Sequence, residues 1–360
     1  DFMASSRCYF GSHPSCQTGI AWRDAHQFSF EIPTLVAQYL SNPSAYDRMP
    51  NKVDYQTVYN GTDYGSNLIG TPDSNAPDVV KLMHFAINLY KKTGVNHPLF
   101  KEQIAFFLHA YPDIADYISA ADYQVMLNYM SEDLWSNPSR NIRGWYENTV
   151  ASYTGDLFQT YTQIGTGKGS FPPGHSIMPN LLMYEVALRE GMPEVTVQRF
   201  LNTAIAQTNE IINNVDWLDP TTTKGQRMSE HVTMEGLTYF MRVYPQFAPA
   251  GLQQKIEQWS DVVISRSSNL WDFRKYGDGA NEWVIPDFNE PGNVVGLPAA
   301  IYAAIQVLDD DNQITRLREI ATVHFDAMFG RNPTGRHFSY KGPSEFQGVE
   351  FGWYSQHDGL

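Results

Sequence analysis

The chain has 360 residues, of which 42% are hydrophobic and 18% are charged, and it contains 20 Phe, 21 Tyr and 8 Trp. This composition excludes a disordered chain, and the formal net charge of −14 argues against a general nucleic-acid-binding protein, which is normally basic. No run of about 18 apolar residues occurs, so the sequence predicts no membrane-spanning helix.

Apolar residues at helical spacing dominate the chain, and no stretch alternates as a strand does. The segment 77–92 is typical, because proline and aspartate open it and Gly94 follows its end. Short links, such as 92–96 and 189–193, predict antiparallel helical hairpins. The predicted helices are 32–40, 77–92, 98–109, 112–118, 120–134, 147–164, 178–190, 194–214, 230–243, 250–265, 294–308 and 313–329.

The spacing of these helices predicts the architecture. Long loops separate the hairpins, and one further long loop, 42–76, interrupts what should be a pair. No sequence repeat accompanies the helical repetition, so a closed toroid fits better than a regular solenoid. The prediction is an all-α (α/α)6 toroid that forms a single domain over residues 1–360 and leaves room for the native chain to extend past Leu360.

Most tryptophans lie in or beside the predicted loops, and only Trp259 is in the middle of a helix. Loops on a rigid scaffold commonly carry function, and flat indoles can stack on sugar rings, although Trp also seals loops onto a core. As a set, these residues favour a carbohydrate-binding groove. They are Trp22, Trp135, Trp145, Trp217, Trp271, Trp283 and Trp353.

Two motifs frame the predicted helices. Residues 22–25 read Trp-Arg-Asp-Ala shortly before the first helix, and residues 330–338 read Gly-Arg-Asn-Pro-Thr-Gly-Arg-His-Phe after the last. Arg331 and Arg336 carry planar guanidinium groups that can hold carboxylates or sugar hydroxyls, and His337 lies beside them. Packing alone does not explain so many polar side chains in one Gly/Pro turn.

In this order on a helical chain, the two motifs resemble glycoside hydrolase family 9. Trp22, Asp24 and Ala25 match that family's Trp-x-Asp-Ala-Gly-Asp stretch, and 330–333 matches its Gly-Arg/Asp-Asn-Pro segment. The resemblance implies a six-hairpin (α/α)6 barrel that hydrolyses a polysaccharide. The motif diverges at the family's usual catalytic base, because Gln27 stands there and an amide cannot accept a proton from water.

Glycoside hydrolysis requires a pair of carboxyl groups, and several acids are candidates. Asp24 is expected to hold or activate water, although it could simply cap the helix that follows. Glu290, in an Asn-Glu-Pro stretch before a helix, and Asp358 are the other predicted catalytic residues, while Glu230 and Glu235 open a further helix. The predicted substrate-binding residues are Trp22, Trp145, Trp283, Arg331, Arg336, His337, Trp353 and Tyr354.

A polysaccharide lyase on a helical toroid is the main alternative, and a non-catalytic glycan-binding protein is the second. Lyases of this layout abstract a proton beside a uronate carboxylate with Tyr, His, Asn and Arg. The predicted loops are rich in such residues despite the charge of −14, which favours an acidic glycan. These loop residues are Arg23, Arg140, Arg143, Arg227, Arg274, Arg331, Arg336, His175, His337, His357 and Tyr354.

The sequence predicts no cofactor, because it lacks zinc-type Cys or His spacing and a Walker motif. A structural Ca²⁺ could bind Asp63, Asp73 and Asp78, but a solvated acidic loop explains them more simply. Cys8 and Cys16 could form a disulfide, as in an exported protein, or be free thiols. The expected partner is a polysaccharide or oligosaccharide, not nucleic acid, and the expected location is extracellular or periplasmic.

Overall fold

A computed structural model of the chain describes eleven helices and, within the residues that it covers, no strand. This confirms the predicted all-α class. The residues described are 31–52, 70–93, 98–130, 173–219, 223, 230–276, 290–327 and 329–331.

The helices are numbered here in chain order. They are α1 (Glu31–Ser41), α2 (Pro43–Asp47), α3 (Asp78–Thr93), α4 (Pro98–Ile114), α5 (Ala120–Asn128), α6 (Ile177–Arg189), α7 (Glu194–Asn214), α8 (Glu230–Val243), α9 (Leu252–Ser267), α10 (Glu290–Ala304) and α11 (Asp311–Ala327). None of them combines the length and the apolar character that a membrane crossing requires.

These helices fall into two compact units. The first contains α1 to α5 and the segment Pro179–Thr203. The second contains the start of α6, up to Met178, and everything described from Ala204 onward. The boundary therefore passes through α6 and α7, and the single domain over residues 1–360 stays a prediction.

In the first unit, α1 packs against α3 and α4, and α4 packs against α5. Three apolar residues on one side of α1 are buried, with Ile32, Val36 and Tyr39 each at most 3% exposed. A polar contact also ties α5 to the chain before α3, because Asp122 accepts a hydrogen bond from the Gly70 N–H at 2.6 Å. A Cβ at Gly70 would lie 2.8 Å from the Asp122 carboxylate, so this position requires glycine.

Helix α4 continues through a proline that the sequence analysis placed in a separate helix. Pro112 lies inside α4 and has no N–H to give to the carbonyl of Leu108, four residues earlier. The Arg189 Nη2 donates to that carbonyl instead, at 2.7 Å. The prediction of two helices, 98–109 and 112–118, is therefore wrong, because a distant side chain supplies the donor that proline lacks.

In the second unit, α8 packs against α9 and α10, and α11 packs against α9 and α10. Leu297, Ala300 and Ile301 of α10 are almost completely buried. A helix that is apolar on most sides suits such a position between neighbours.

The end of α7 is held by a buried lysine of α9. The Lys255 Nζ donates to the carbonyls of Ile212 at 3.2 Å and Val215 at 2.5 Å, which the helix leaves without intrahelical partners. The Trp217 Nε1 donates to the carbonyl of Lys255 at 2.9 Å, and Trp217 is only 5% exposed. Trp217 therefore seals a loop onto the core and offers no platform for a sugar.

The predicted and observed helices otherwise agree closely. The bounds of α7 and α8 are those predicted from the sequence. The prediction that 42–76 is loop throughout is wrong, because α2 begins after Asn42, whose side chain accepts a hydrogen bond from the Ala45 N–H. The predicted helix 147–164 lies outside the described residues.

Candidate functional site

Most of the predicted site residues lie outside the part of the chain that the structure describes. Glu290 is the first residue of α10. Arg331 follows α11, and its Nη1 lies 3.5 Å from Asp326 Oδ2 with both side chains about half exposed. The undescribed ones are Trp22, Asp24, Trp145, Trp283, Arg336, His337, Trp353, Tyr354 and Asp358.

Helix α8 carries the most distinctive group of side chains in the described chain. Its residues are buried on most sides, including Met234, Leu237 and Phe240, which have no exposed surface. Glu235, near its middle, is nevertheless exposed. One narrow face of an otherwise enclosed helix is therefore open to solvent.

Contacts on the enclosed sides fix how α8 is rotated about its axis. The Thr233 Oγ1 donates to the carbonyl of Pro173 at 2.8 Å, and both groups are buried. On another side, a Cβ at Gly236 would lie 3.1 Å from the Ile177 Cβ, so only glycine lets the two segments approach this closely. These contacts hold Glu235 on the open face.

The environment of Glu235 changes the acidity of its carboxyl group. Burial by surrounding protein raises the pKa of Glu235 from 4.5 to about 7. Part of the side chain nevertheless stays accessible to solvent. Among the described residues, no group donates a hydrogen bond to the carboxyl.

Two other functional side chains share the open face. His231 lies one turn before Glu235 and Tyr239 one turn after it, and both are half-buried. Residues four apart on a helix are neighbours on its surface. Burial lowers the pKa of His231 from 6.5 to about 4, so its imidazole is neutral near pH 7.

A buried ion pair anchors the first residue of α8. Arg274 forms hydrogen bonds through both terminal nitrogens to the two carboxylate oxygens of Glu230, and each residue is 2% exposed. The His324 Nε2 accepts a hydrogen bond from the Arg274 backbone N–H at 3.2 Å, while its Nδ1 lies 2.8 Å from the carbonyl of Ile320. Because that carbonyl can only accept, Nδ1 carries the proton and His324 is fixed as one neutral tautomer.

The burial of two residues corrects two expectations of the lyase alternative. Arg274 does not line an open rim, because its guanidinium is buried against Glu230. His175 is 2% exposed, and burial lowers its pKa to about 3, so it is a neutral core residue. Both residues were assigned to loops from the sequence, which does not reveal how deeply a loop residue is packed.

The crevice lined by Trp217, Arg266, Arg274 and Tyr276 is too narrow to admit a water molecule. The described residues contain no group of three or more His, Cys, Asp or Glu that could hold a metal ion. Asp78, suggested for Ca²⁺, accepts hydrogen bonds from the Lys52 backbone N–H.

Comparison with protein-family models, curated proteins and solved structures finds no match to this chain. The chemistry of α8 is therefore the main guide to function. The sequence had identified Glu235 as one of several acids, and the spacing of His231, Glu235 and Tyr239 was the available signal. Their grouping becomes informative only once the other faces of α8 are known to be buried.

Proposed function

We propose that the chain is a glycoside hydrolase built as an (α/α)6 toroid and that Glu235 is its general acid. The main support is the Glu235 carboxyl group, which is open to solvent and has a pKa of about 7. A carboxylic acid that keeps its proton near neutral pH is what protonation of a leaving group requires. The resemblance of the two terminal motifs to family 9 points to the same class.

The proposed reaction uses one proton donor and one proton acceptor. The Glu235 carboxyl gives its proton to the glycosidic oxygen as the bond between that oxygen and the anomeric carbon breaks. Water attacks the anomeric carbon and passes a proton to a second carboxylate, for which Asp24 is the candidate. Both sugar products are then neutral alcohols, and the second carboxyl returns its proton to Glu235 through solvent.

The lyase alternative has less support from the described residues. It requires cationic side chains that can neutralise a uronate carboxylate beside the reacting carbon. Of the seven loop arginines identified in the sequence, Arg274 and Arg331 are described, and each already faces a carboxylate of the protein. The open face of α8 presents neutral His231 and Glu235 instead.

A screen of neutral and acidic polysaccharides tests the proposal when combined with a Glu235→Gln variant. We expect E235Q to lose at least about a hundredfold in kcat, which is typical of general acid catalysis. E210Q, at an exposed position of α7, is the matched control and should retain activity. The activity of the unmodified chain should fall as pH rises through about 7, because Glu235 then loses the proton it must donate.

Four outcomes would count against the proposal. Full turnover by E235Q would exclude Glu235 as the acid, and full turnover by an Asp24→Ala variant would exclude Asp24 as the base. Products with an unsaturated, ultraviolet-absorbing uronate would identify a lyase. Binding without any bond cleavage would identify a glycan-binding protein.

A further inference from the structure

The segment 268–276, which follows α9, is joined to α11 by a buried histidine. The His324 Nε2 accepts a hydrogen bond from the Arg274 backbone N–H at 3.2 Å. The His324 ring also stacks on the ring of Phe273, with the centroids 4.6 Å apart and the planes 8° from parallel. All three residues are at most 3% exposed, so protein encloses the junction.

The hydrogen bonds of His324 leave no place for a second proton on its ring. Its Nδ1 donates to the carbonyl of Ile320 at 2.8 Å, so Nε2 is the acceptor for the Arg274 N–H. Protonation would place an N–H at Nε2 directly against the N–H of Arg274, and two donors cannot form a hydrogen bond with each other. A protonated His324 therefore cannot keep the contact that joins α11 to segment 268–276.

The surroundings of His324 also oppose a positive charge. Burial, together with the nearby Arg274 charge and against the hydrogen bond to Ile320, lowers the pKa of His324 from 6.5 to about 4. Helix α11 packs against α9 and α10. The other charged side chains of α9 and segment 268–276 are Lys255, Glu257, Asp261, Arg266, Asp272 and Lys275, and the described side chains of α10 carry no charge. Among the described residues, no carboxylate therefore offsets a proton on His324.

The remaining contacts of segment 268–276 with α11 are weaker. Asp272 has a φ of 52°, which is uncommon for residues other than glycine, and such a conformation persists only where its surroundings impose it. The Asp272 carboxylate pairs with Arg316, but both side chains are partly exposed, so solvent weakens this ion pair. Leu270 is 93% exposed and adds little packing. Loss of the His324 contact therefore lets the segment relax.

Arg274 also connects the segment to the start of α8. Its guanidinium holds both carboxylate oxygens of Glu230, the first residue of that helix, and lies over the ring of Tyr276. Glu230 and Arg274 are each 2% exposed. A buried carboxylate that loses its cationic partner is strongly destabilised. Movement of segment 268–276 away from α11 therefore also loosens the first turn of α8.

We propose that segment 268–276 is a pH-dependent conformational switch: protonation of His324 detaches it from α11 and draws Arg274 away from Glu230. In the closed state His324 is neutral and buried, and in the open state it is protonated and in contact with water. A histidine in water has a pKa near 6.5, whereas in the closed state the pKa of His324 is about 4. The closed state is therefore fully favoured above about pH 6.5 and loses this advantage as pH falls toward 4. The switch does not depend on the reaction proposed for Glu235.

Hydrogen exchange of the full chain, followed by mass spectrometry at about pH 7 and about pH 5, tests the proposal. Dividing each rate by that of the unfolded chain at the same pH removes the intrinsic pH dependence of exchange. We expect the protection of segment 268–276 to fall about twentyfold at the lower pH, because opening takes up one proton. At that pH it should also be at least about tenfold lower than in the middle of α9, because the segment opens while this helix stays folded.

His324→Gln is the informative variant, since glutamine keeps a donor and an acceptor but does not titrate in this range. In H324Q the protection of segment 268–276 should change by less than about twofold between the two pH values. His109→Gln, in the first unit, is the matched control and should retain the whole fall in protection.

Three results would overturn the proposal. The first is unchanged protection of segment 268–276 in the unmodified protein. The second is equal protection of this segment and the middle of α9 at both pH values, which would show that His324 affects only complete unfolding. The third is a fall that persists in H324Q, which would assign the proton to another group. The first two comparisons use the unmodified protein, so they decide the question even if H324Q does not fold.

Discussion

Two glutamates of one helix illustrate how strongly the surroundings decide the chemistry of a residue. Glu230 is buried and paired with Arg274, whereas Glu235 is open to solvent and has no ionic partner in the described chain. Desolvation by the protein atoms around its carboxyl raises the pKa of Glu235 to about 7. The sequence identified both acids, but the partner of Glu230 lies 44 positions away and could not be predicted from it.

His324 is expected to make the stability of the protein depend on pH. Burial, opposed by its hydrogen bond to Ile320 and reinforced by the Arg274 charge, lowers its folded-state pKa to about 4 from 6.5. Between pH 4 and pH 6.5 the His324 imidazole binds a proton more readily in the unfolded chain than in the folded protein. The stabilisation that depends on neutral His324 is therefore fully present above about pH 6.5 and is lost as pH falls toward 4. This loss amounts to about 3 kcal/mol in the free energy of unfolding.

Urea unfolding at a series of pH values between about 4 and 7 measures this contribution. In His324→Gln the free energy of unfolding should depend less steeply on pH than in the unmodified protein. Equal slopes for the two proteins would contradict the assignment of His324 as a buried neutral residue. The backbone contacts of His324 also predict that the variant is less stable near pH 7.

At the scale of helices, the sequence predicted most of the described fold. Capping and turn residues are local signals, as at Gly330, where a φ of 103° follows the end of α11. The break predicted at Pro112 was wrong because its compensation by Arg189 is a tertiary contact. For the same reason, the pattern of α8 predicted a helix but not that most of its faces are buried.

Lys255 provides a test of how the end of α7 is stabilised. Lys255→Met keeps most of the apolar stem but removes the donors to the carbonyls of Ile212 and Val215. We expect the free energy of unfolding to fall by about 2 kcal/mol, because two buried carbonyls lose a charged donor. Gln254→Met, at the exposed neighbouring position, should change it by less than about 0.5 kcal/mol.

Hydrogen exchange gives an independent measurement of the same change. The last turn of α7 should exchange faster in K255M than in the unmodified protein, because unpartnered carbonyls make the helix end fray more readily. Faster exchange spread evenly over α7 and α9, with no excess at the end of α7, would indicate lost packing and would contradict the capping role.

Over the whole molecule, the charge of −14 bears on which glycans can approach. The loop arginines had favoured an acidic glycan, but the two that are described face carboxylates of the protein. We therefore expect hydrolysis of neutral polysaccharides at a rate that is nearly independent of ionic strength. Release of reducing ends, measured with and without added salt, tests this.

An acidic polysaccharide is the matched control in that experiment. Like charges repel, so its turnover should be low at low salt and should increase as salt screens the repulsion. A preference for the acidic glycan that weakens with salt would contradict the expectation, since it would reveal a cationic site that attracts polyanions.

The proton that Glu235 retains near pH 7 has a consequence for small basic molecules. An amine held beside this carboxyl can take up the proton, which leaves an ammonium and a carboxylate in direct contact. An alcohol of the same shape cannot do so. The open face of α8 should therefore prefer nitrogen-containing sugar mimics to their oxygen counterparts, and most strongly at a pH where the free amine and the protonated acid coexist.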